Sequence, residues 1–251
     1  MNTKSLSRII CLLLLVSLLS GCGWWKNWKK STDYSRSRPE SLYQEGVAFY
    51  QKGDYTRAIE FFQALKEEHP LSPYAPLAEI GIADSYYSDK KYGDAEANYS
   101  DFINLHPTNP NIPYAMYQIG ICHFEQMSSI DRDQTETVRA KKEFEKLIAR
   151  FPASKFSIMA EKVLRECKRR LAEHEFYVGE FYFKNDQYKA ALKRFELIAR
   201  DYPNLGLDYK TAYFISESKK LLAEKEKKEK LAGDKKKVKT GSEYHGMEVI
   251  Q

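Results

Sequence analysis

The sequence predicts an all-α solenoid of about five tetratricopeptide-like helical hairpins, the last one incomplete. Three observations predict it. The first is residues 42–70, LYQEGVAFYQKGDYTRAIEFFQALKEEHP, which read as two short amphipathic helices joined by a tight turn at Lys52-Gly53-Asp54. The second is the return of that unit further along the chain. The third is composition. With 12 Gly and 9 Pro in 251 residues, 14% aromatic and 30% charged, and no strand-like alternation, the chain suits a helical array rather than a sheet.

Within the first unit, Gly46 and Ala58 fall on facing sides of the two helices, where small side chains permit close approach. Phe62 lies one turn beyond Ala58 and fills the space beside it. Pro70 ends the unit, because it has no amide for a continuing helix. The same order returns as Ala83, Ala95, Tyr99, Pro107 and as Gly179, Ala191, Phe195, Pro203, each with its small residues twelve apart. Tyr55, Tyr92 and Tyr188 stand three residues before the second small residue. A fourth copy, Gly120, Ala140, Phe144, Pro152, separates its small residues by twenty, which places about eight extra residues within 126–137. This is the tetratricopeptide pattern, in which each hairpin needs neighbours to cover its apolar flank.

The start of the chain reads as a targeting segment. Lys4 and Arg8 precede an apolar run over residues 9–19, too short to span a bilayer as a helix, which needs about 20 residues. Leu19-Ser20-Gly21-Cys22 then resembles the bacterial lipobox, which implies cleavage before Cys22 and multiple acylation of it. Gly23, where a retention aspartate would stand, favours the outer membrane, facing the periplasm. Four regions follow: a signal peptide over 1–21, a lipidated tether over 22–38, a repeat domain over 39–222, and a charged tail over 223–251 expected to be disordered. In the tether, Trp24, Trp25 and Trp28 alternate with Lys26, Lys29 and Lys30, a mixture suited to a membrane interface or simply to an aromatic linker.

Between repeats two and three lies Pro107-Thr108-Asn109-Pro110-Asn111-Ile112-Pro113-Tyr114-Ala115-Met116-Tyr117. With the lipobox, this run resembles the BamD (ComL) family, lipoproteins of the outer-membrane β-barrel assembly machinery. The third-repeat insertion, here Asp131-Arg132-Asp133-Gln134, is similar to the family's and looks shorter. The resemblance covers residues 22–222. It implies a scaffold that binds the barrel subunit BamA, possible accessory Bam lipoproteins, and the aromatic-rich ends of unfolded barrel proteins. By that resemblance Arg194, beside the packing aromatic Phe195, belongs to the half that binds BamA; from the residues alone it reads as a solvated arginine on a helix face. On the first helices, Tyr50, Tyr86 and Tyr87 offer aromatic area either to a partner or to the interior.

Residues 154–184 hold one glycine and no proline, so they read as one long helix or two fused ones. Residues 206–222 supply a further helix, and residues 224–239 a charge run. Residues 219–239 carry ten Lys against four acids, so the basic balance of the mature chain, +3, is a property of the tail and not of a nucleic-acid face.

No arrangement for catalysis, cofactor or metal emerges. There is no nucleophile elbow, phosphate-cradling loop or HExxH; His123 and Glu125 are helix neighbours, Glu67-Glu68 has no partner histidine, and His69 and His106 sit at matching turns a repeat apart. Cys122 and Cys167 could be bonded or free. Two other functions use the same repeats: piloting a pilus or secretion secretin, and regulating cell-wall enzymes. The 107–117 run and the insertion argue against the secretin reading, and the cell-wall reading needs no fused long helix after the third repeat.

Overall fold

The structure, a computed structural model, describes residues 37–245, with side chains as far as Gly233. The signal peptide, Cys22 and the tryptophan–lysine tether lie outside the described residues. Among the described residues there are nine helices: α1 (Pro39–Gln51), α2 (Tyr55–Glu68), α3 (Ala75–Ser88), α4 (Tyr92–Leu105), α5 (Ile112–Glu125), α6 (Thr135–Arg150), α7 (Lys155–Lys184), α8 (Tyr188–Asp201) and α9 (Asp208–His245). Each packs on the next, giving four antiparallel hairpins and a closing helix.

The chain reverses by the same local chemistry each time. In the three-residue turns the middle residue takes a left-handed conformation: Gly53 at φ 78°, Lys90 at 60° and Asp186 at 56°. Gly53 carries it without steric cost. Asp54 then caps α2 by accepting from the Arg57 amide at 3.2 Å. At the far end of each hairpin, His69, His106, Phe151 and Tyr202 share φ between −126° and −134° and ψ between 48° and 59°. All four precede proline, whose ring disfavours helical backbone at that position, so the second helices stop in register.

An aromatic ring lies across the seam of every hairpin. Ala58, Ala83, Ala95, Ala140 and Ala191 are fully buried, as are Phe62, Tyr99, Phe144 and Phe195. A Cβ on Gly46 would come within 2.5 Å of the Phe62 ring, on Gly120 within 2.5 Å of Phe144, and on Gly179 within 2.8 Å of Phe195. Real Cβ atoms do not approach so closely. The bare backbone is therefore what admits the ring. Gly81 of α3, absent from the sequence pattern, presses on Phe62 from the other side at 2.6 Å.

The eight extra residues of the third repeat divide. Six lengthen the turn, now 126–134, and two extend α6 at its start. Gln134 folds the turn on itself, its Nε2 donating to the carbonyls of Ser129 (2.8 Å) and Arg132 (3.0 Å). From α7, Arg170 donates to the Ser128 carbonyl at 2.9 Å and His174 Nδ1 to that of Ile130 at 2.6 Å. Helix α7 is one helix of 30 residues, about 45 Å long at 1.5 Å per residue. Its first half closes the central core, with Ala160, Leu164 and Cys167; its second half builds a separate core from Ala172, Phe176, Ala191, Phe195 and Phe214.

Residues 223–245 correct the expected disordered tail, since they continue α9. Glu224, Glu226, Lys228 and Lys230 pair acid before base at four-residue spacing, which supports a solvated helix without a core, and their side chains are exposed. Cys122 and Cys167 are free and buried in the central core, where burial pushes both thiols up to about 12.

Two outcomes are expected. Ala58→Arg will force the first hairpin apart, with loss of helical signal and a lower urea midpoint; an unchanged midpoint would place the seam elsewhere. In a chain starting at residue 22 with Cys22→Ser, both thiols will resist aromatic disulfide reagents at pH 8 and react after denaturation. Fast labelling of the native chain would contradict this burial.

Candidate functional site

Between the first helices of the first three repeats the structure forms a cleft of about 390 Å³. Its walls are Tyr43, Val47 and Tyr50 from α1, Leu77 and Ile80 from α3, and Tyr114 from α5. Phe62 shows through at Gly81, which has no side chain to cover it. Tyr50 is steadied on both sides: its hydroxyl lies 2.9 Å from Ser88 Oγ, and its ring meets Tyr55 edge-on at 5.6 Å.

At the floor is Asp84. Its Oδ1 accepts from the hydroxyls of Tyr99 and of Tyr114, the latter at 2.7 Å. Burial raises the Asp84 carboxyl above its ordinary range, outweighing the two phenol hydrogen bonds that favour the charged form. The same charge acts back on its neighbours. Tyr43, Tyr99 and Tyr114 are all held above the usual phenol range, by burial first and by Asp84 second.

The expected binding residues do not come together. Tyr50 lines the cleft. Tyr86 is half-buried between the first and central cores, so it serves mainly as packing. Tyr87 leans on the central core with Tyr92 at 5.6 Å, its hydroxyl pushed up to about 12 by burial and then by Glu125. Arg194 is far along the chain on α8, where it donates to Glu175 Oε2 of α7 at 2.8 Å and keeps 40% of its side chain exposed.

Sequence reading missed Asp84, Tyr43 and Tyr114, yet a signal was present. Where the other repeats have Phe62, Phe144 and Phe195, the second has Tyr99, and a buried hydroxyl demands a partner. Asp84 is that partner.

The histidines that stood out in the sequence have structural partners. His69 Nε2 meets the Ser37 carbonyl at 2.8 Å, and His106 Nε2 meets Glu79 at 2.8 Å. His123 is buried against Glu136 of α6 at 2.7 Å rather than against Glu125. Among the described residues no group of three or more His, Cys, Asp or Glu is arranged to hold a metal. No described helix is long and apolar enough to cross a membrane.

A family model described as an outer membrane lipoprotein, YfiO, matches residues 35–233 and so spans all four hairpins. The chain belongs to the BamD family. The outer membrane protein assembly factor BamD of Rickettsia prowazekii is 32% identical over 86% of this chain and 85% of its own. That of Caulobacter vibrioides is 30% identical over 75% and 62%, and that of Neisseria meningitidis serogroup B 30% over 77% and 78%. Among solved structures, the TPR2AB-domain:pHSP90 complex of yeast Sti1 aligns at 17% identity and TM-score 0.44 over 73% of this chain and 70% of that one.

Asp84→Asn keeps an acceptor for both phenols and removes the buried charge. Because the folded carboxyl titrates above its unfolded value, protonation favours the folded state. As pH falls from 7 toward 4, the native protein will therefore gain stability relative to Asp84→Asn, read as the difference in urea midpoints. A gap moving the other way would mean the carboxylate is net stabilised where it sits.

Proposed function

We propose that this chain is a non-enzymatic scaffold of the outer-membrane β-barrel assembly machinery, lipid-anchored through Cys22 to the periplasmic face of the outer membrane. Its C-terminal repeats hold BamA around Arg194, in company with accessory Bam lipoproteins. Its first three repeats present unfolded barrel proteins, with Tyr50 in the groove and Tyr86 and Tyr87 behind it. The observation that carries this reading is the BamD family match across every hairpin.

The geometry supports it in two ways. Stacked first helices form a concave aromatic surface, the kind that takes an extended or helical segment. On α8, one of the five N–H donors of Arg194 is committed to Glu175, and the exposed remainder is free to pair with a carboxylate of a docked protein. Nothing in this scheme consumes energy or makes a bond. A client strand is brought to a barrel whose open edge can be extended.

The test is a mild-detergent pull-down from outer membranes with a tag after Gln251. A large barrel protein with periplasmic domains should co-purify, and Arg194→Glu should lose it. Since Glu beside Glu175 also repels, the pair Arg194→Glu with Glu175→Arg restores the internal contact and should still fail to dock. Recovery of a secretin or of cell-wall enzymes without that barrel would sink the assembly reading.

A further inference from the structure

The N-terminal groove is as one-sided in charge as it is aromatic. Helices α1, α3 and α5 carry Glu40, Glu45, Glu79, Asp84 and Glu125 and no lysine or arginine. Residues 39–125 hold thirteen carboxylates against five basic side chains, a net charge of −8, whereas residues 126–245 hold twenty against twenty-eight, or +8. The five basic residues lie on α2 or in the inter-helix turns, and none lines the cleft. The near-neutral total conceals an acidic half and a basic half.

Asp84 gives this charge a focus. Both phenols donate to Oδ1, and among the described residues Oδ2 has no hydrogen-bond partner. The carboxylate lines the cleft beside Tyr43, Tyr50 and Tyr114. We propose that this cleft is a subsite for a lysine or arginine side chain of a bound peptide, its cationic head on Asp84 Oδ2 and its stem along the three tyrosine rings. This rests on the reading of the groove as the client-binding surface and names what that surface selects.

The chemistry favours a cation over the other groups a client offers. A carboxylate within aromatic walls attracts a cation by direct charge and through the ring faces, and both attractions strengthen as water is displaced. The hydrocarbon stem of lysine or arginine covers apolar wall while its head reaches the floor. A terminal carboxylate meets no cation and faces Asp84 as a like charge. The client's chain end therefore stays outside, and the position read here is a basic residue within the segment, next to aromatic ones.

The test uses the full lipidated chain in detergent micelles and fluorescein-labelled ten-residue peptides of alternating aromatic residues. One is amidated and carries a central arginine, one has citrulline in its place, and one keeps the arginine but ends in a free carboxylate. By fluorescence anisotropy the amidated arginine peptide should bind about tenfold or more tighter than the citrulline peptide, the scale of a charge-assisted hydrogen bond. The free carboxylate should not improve it. Asp84→Asn should abolish the preference for arginine. Leu77→Lys, a cation on the rim where the side chain is already 36% exposed, should weaken the arginine peptide and spare the citrulline one. Equal binding of arginine and citrulline peptides would overturn the cation subsite and leave the groove reading standing. Tighter binding of the free-carboxylate peptide would overturn it in favour of chain-end recognition. Absence of binding by any peptide would remove the groove reading as well. Stronger binding by a peptide of residues 23–31 of this chain than by the arginine peptide would assign the cleft to the protein's own tether instead.

Discussion

A phenylalanine ring laid on bare glycine backbone sets the spacing on which this array depends. Phe62 is held between Gly46 of its own hairpin and Gly81 of the next, so one ring fixes two helix–helix distances at once. A buried ring contributes through the apolar area it removes from water and through close packing, and both fail if either backbone retreats. The cleft inherits this geometry. Its inner wall is the edge of Phe62 seen through Gly81, so the element that joins the repeats also shapes the surface between them.

The second repeat departs from that scheme and gains a polar site by doing so. Ala83 stands where the others have glycine, and Tyr99 where they have phenylalanine. The fully buried tyrosine sends its hydroxyl to Asp84, which Tyr114 of the third repeat also reaches. One carboxylate oxygen thus ties α4 and α5 to α3, in the middle of the groove. Burying a charged group is costly without partners, and two phenols supply part of the compensation on one oxygen only. Such a residue is a poor choice for stability alone, which is the physical reason to look to it for recognition.

Much of the fold was legible because it rests on covalent spacing. Gly46, Ala58, Phe62 and Pro70 repeat at fixed intervals, and those intervals map onto one helix face and one turn length. The proline after His69, His106, Phe151 and Tyr202 locates each second helix end to the residue. Other features do not reduce to spacing. Glu and Lys in 224–230 satisfy a solvated helix and a disordered tail alike, and only i to i+4 pairing separates the two. Tyr50, Tyr86 and Tyr87 share a composition, but lining a groove or filling a seam depends on how neighbouring hairpins cross. Asp84 was overlooked because a carboxylate beside alanine reads as an exposed helix residue until Tyr99 is compared with its three phenylalanine counterparts.

The long helix α7 separates two kinds of surface. Its first half completes the core beneath the groove, and its second half carries Glu175, which engages Arg194, together with a core of its own. At about 45 Å, it exceeds the screening length of physiological salt, roughly 8 Å, several times over. Side chains at its two ends are therefore screened from one another through solvent, and each end serves its own core. Helix α7 joins the two ends mechanically, since it contributes side chains to both cores. It is braced at Arg170 and His174 by the third-repeat insertion, whose carbonyls these two residues hold. The insertion is thus placed at the junction of the two cores, where a shift of one half against the other would first be resisted.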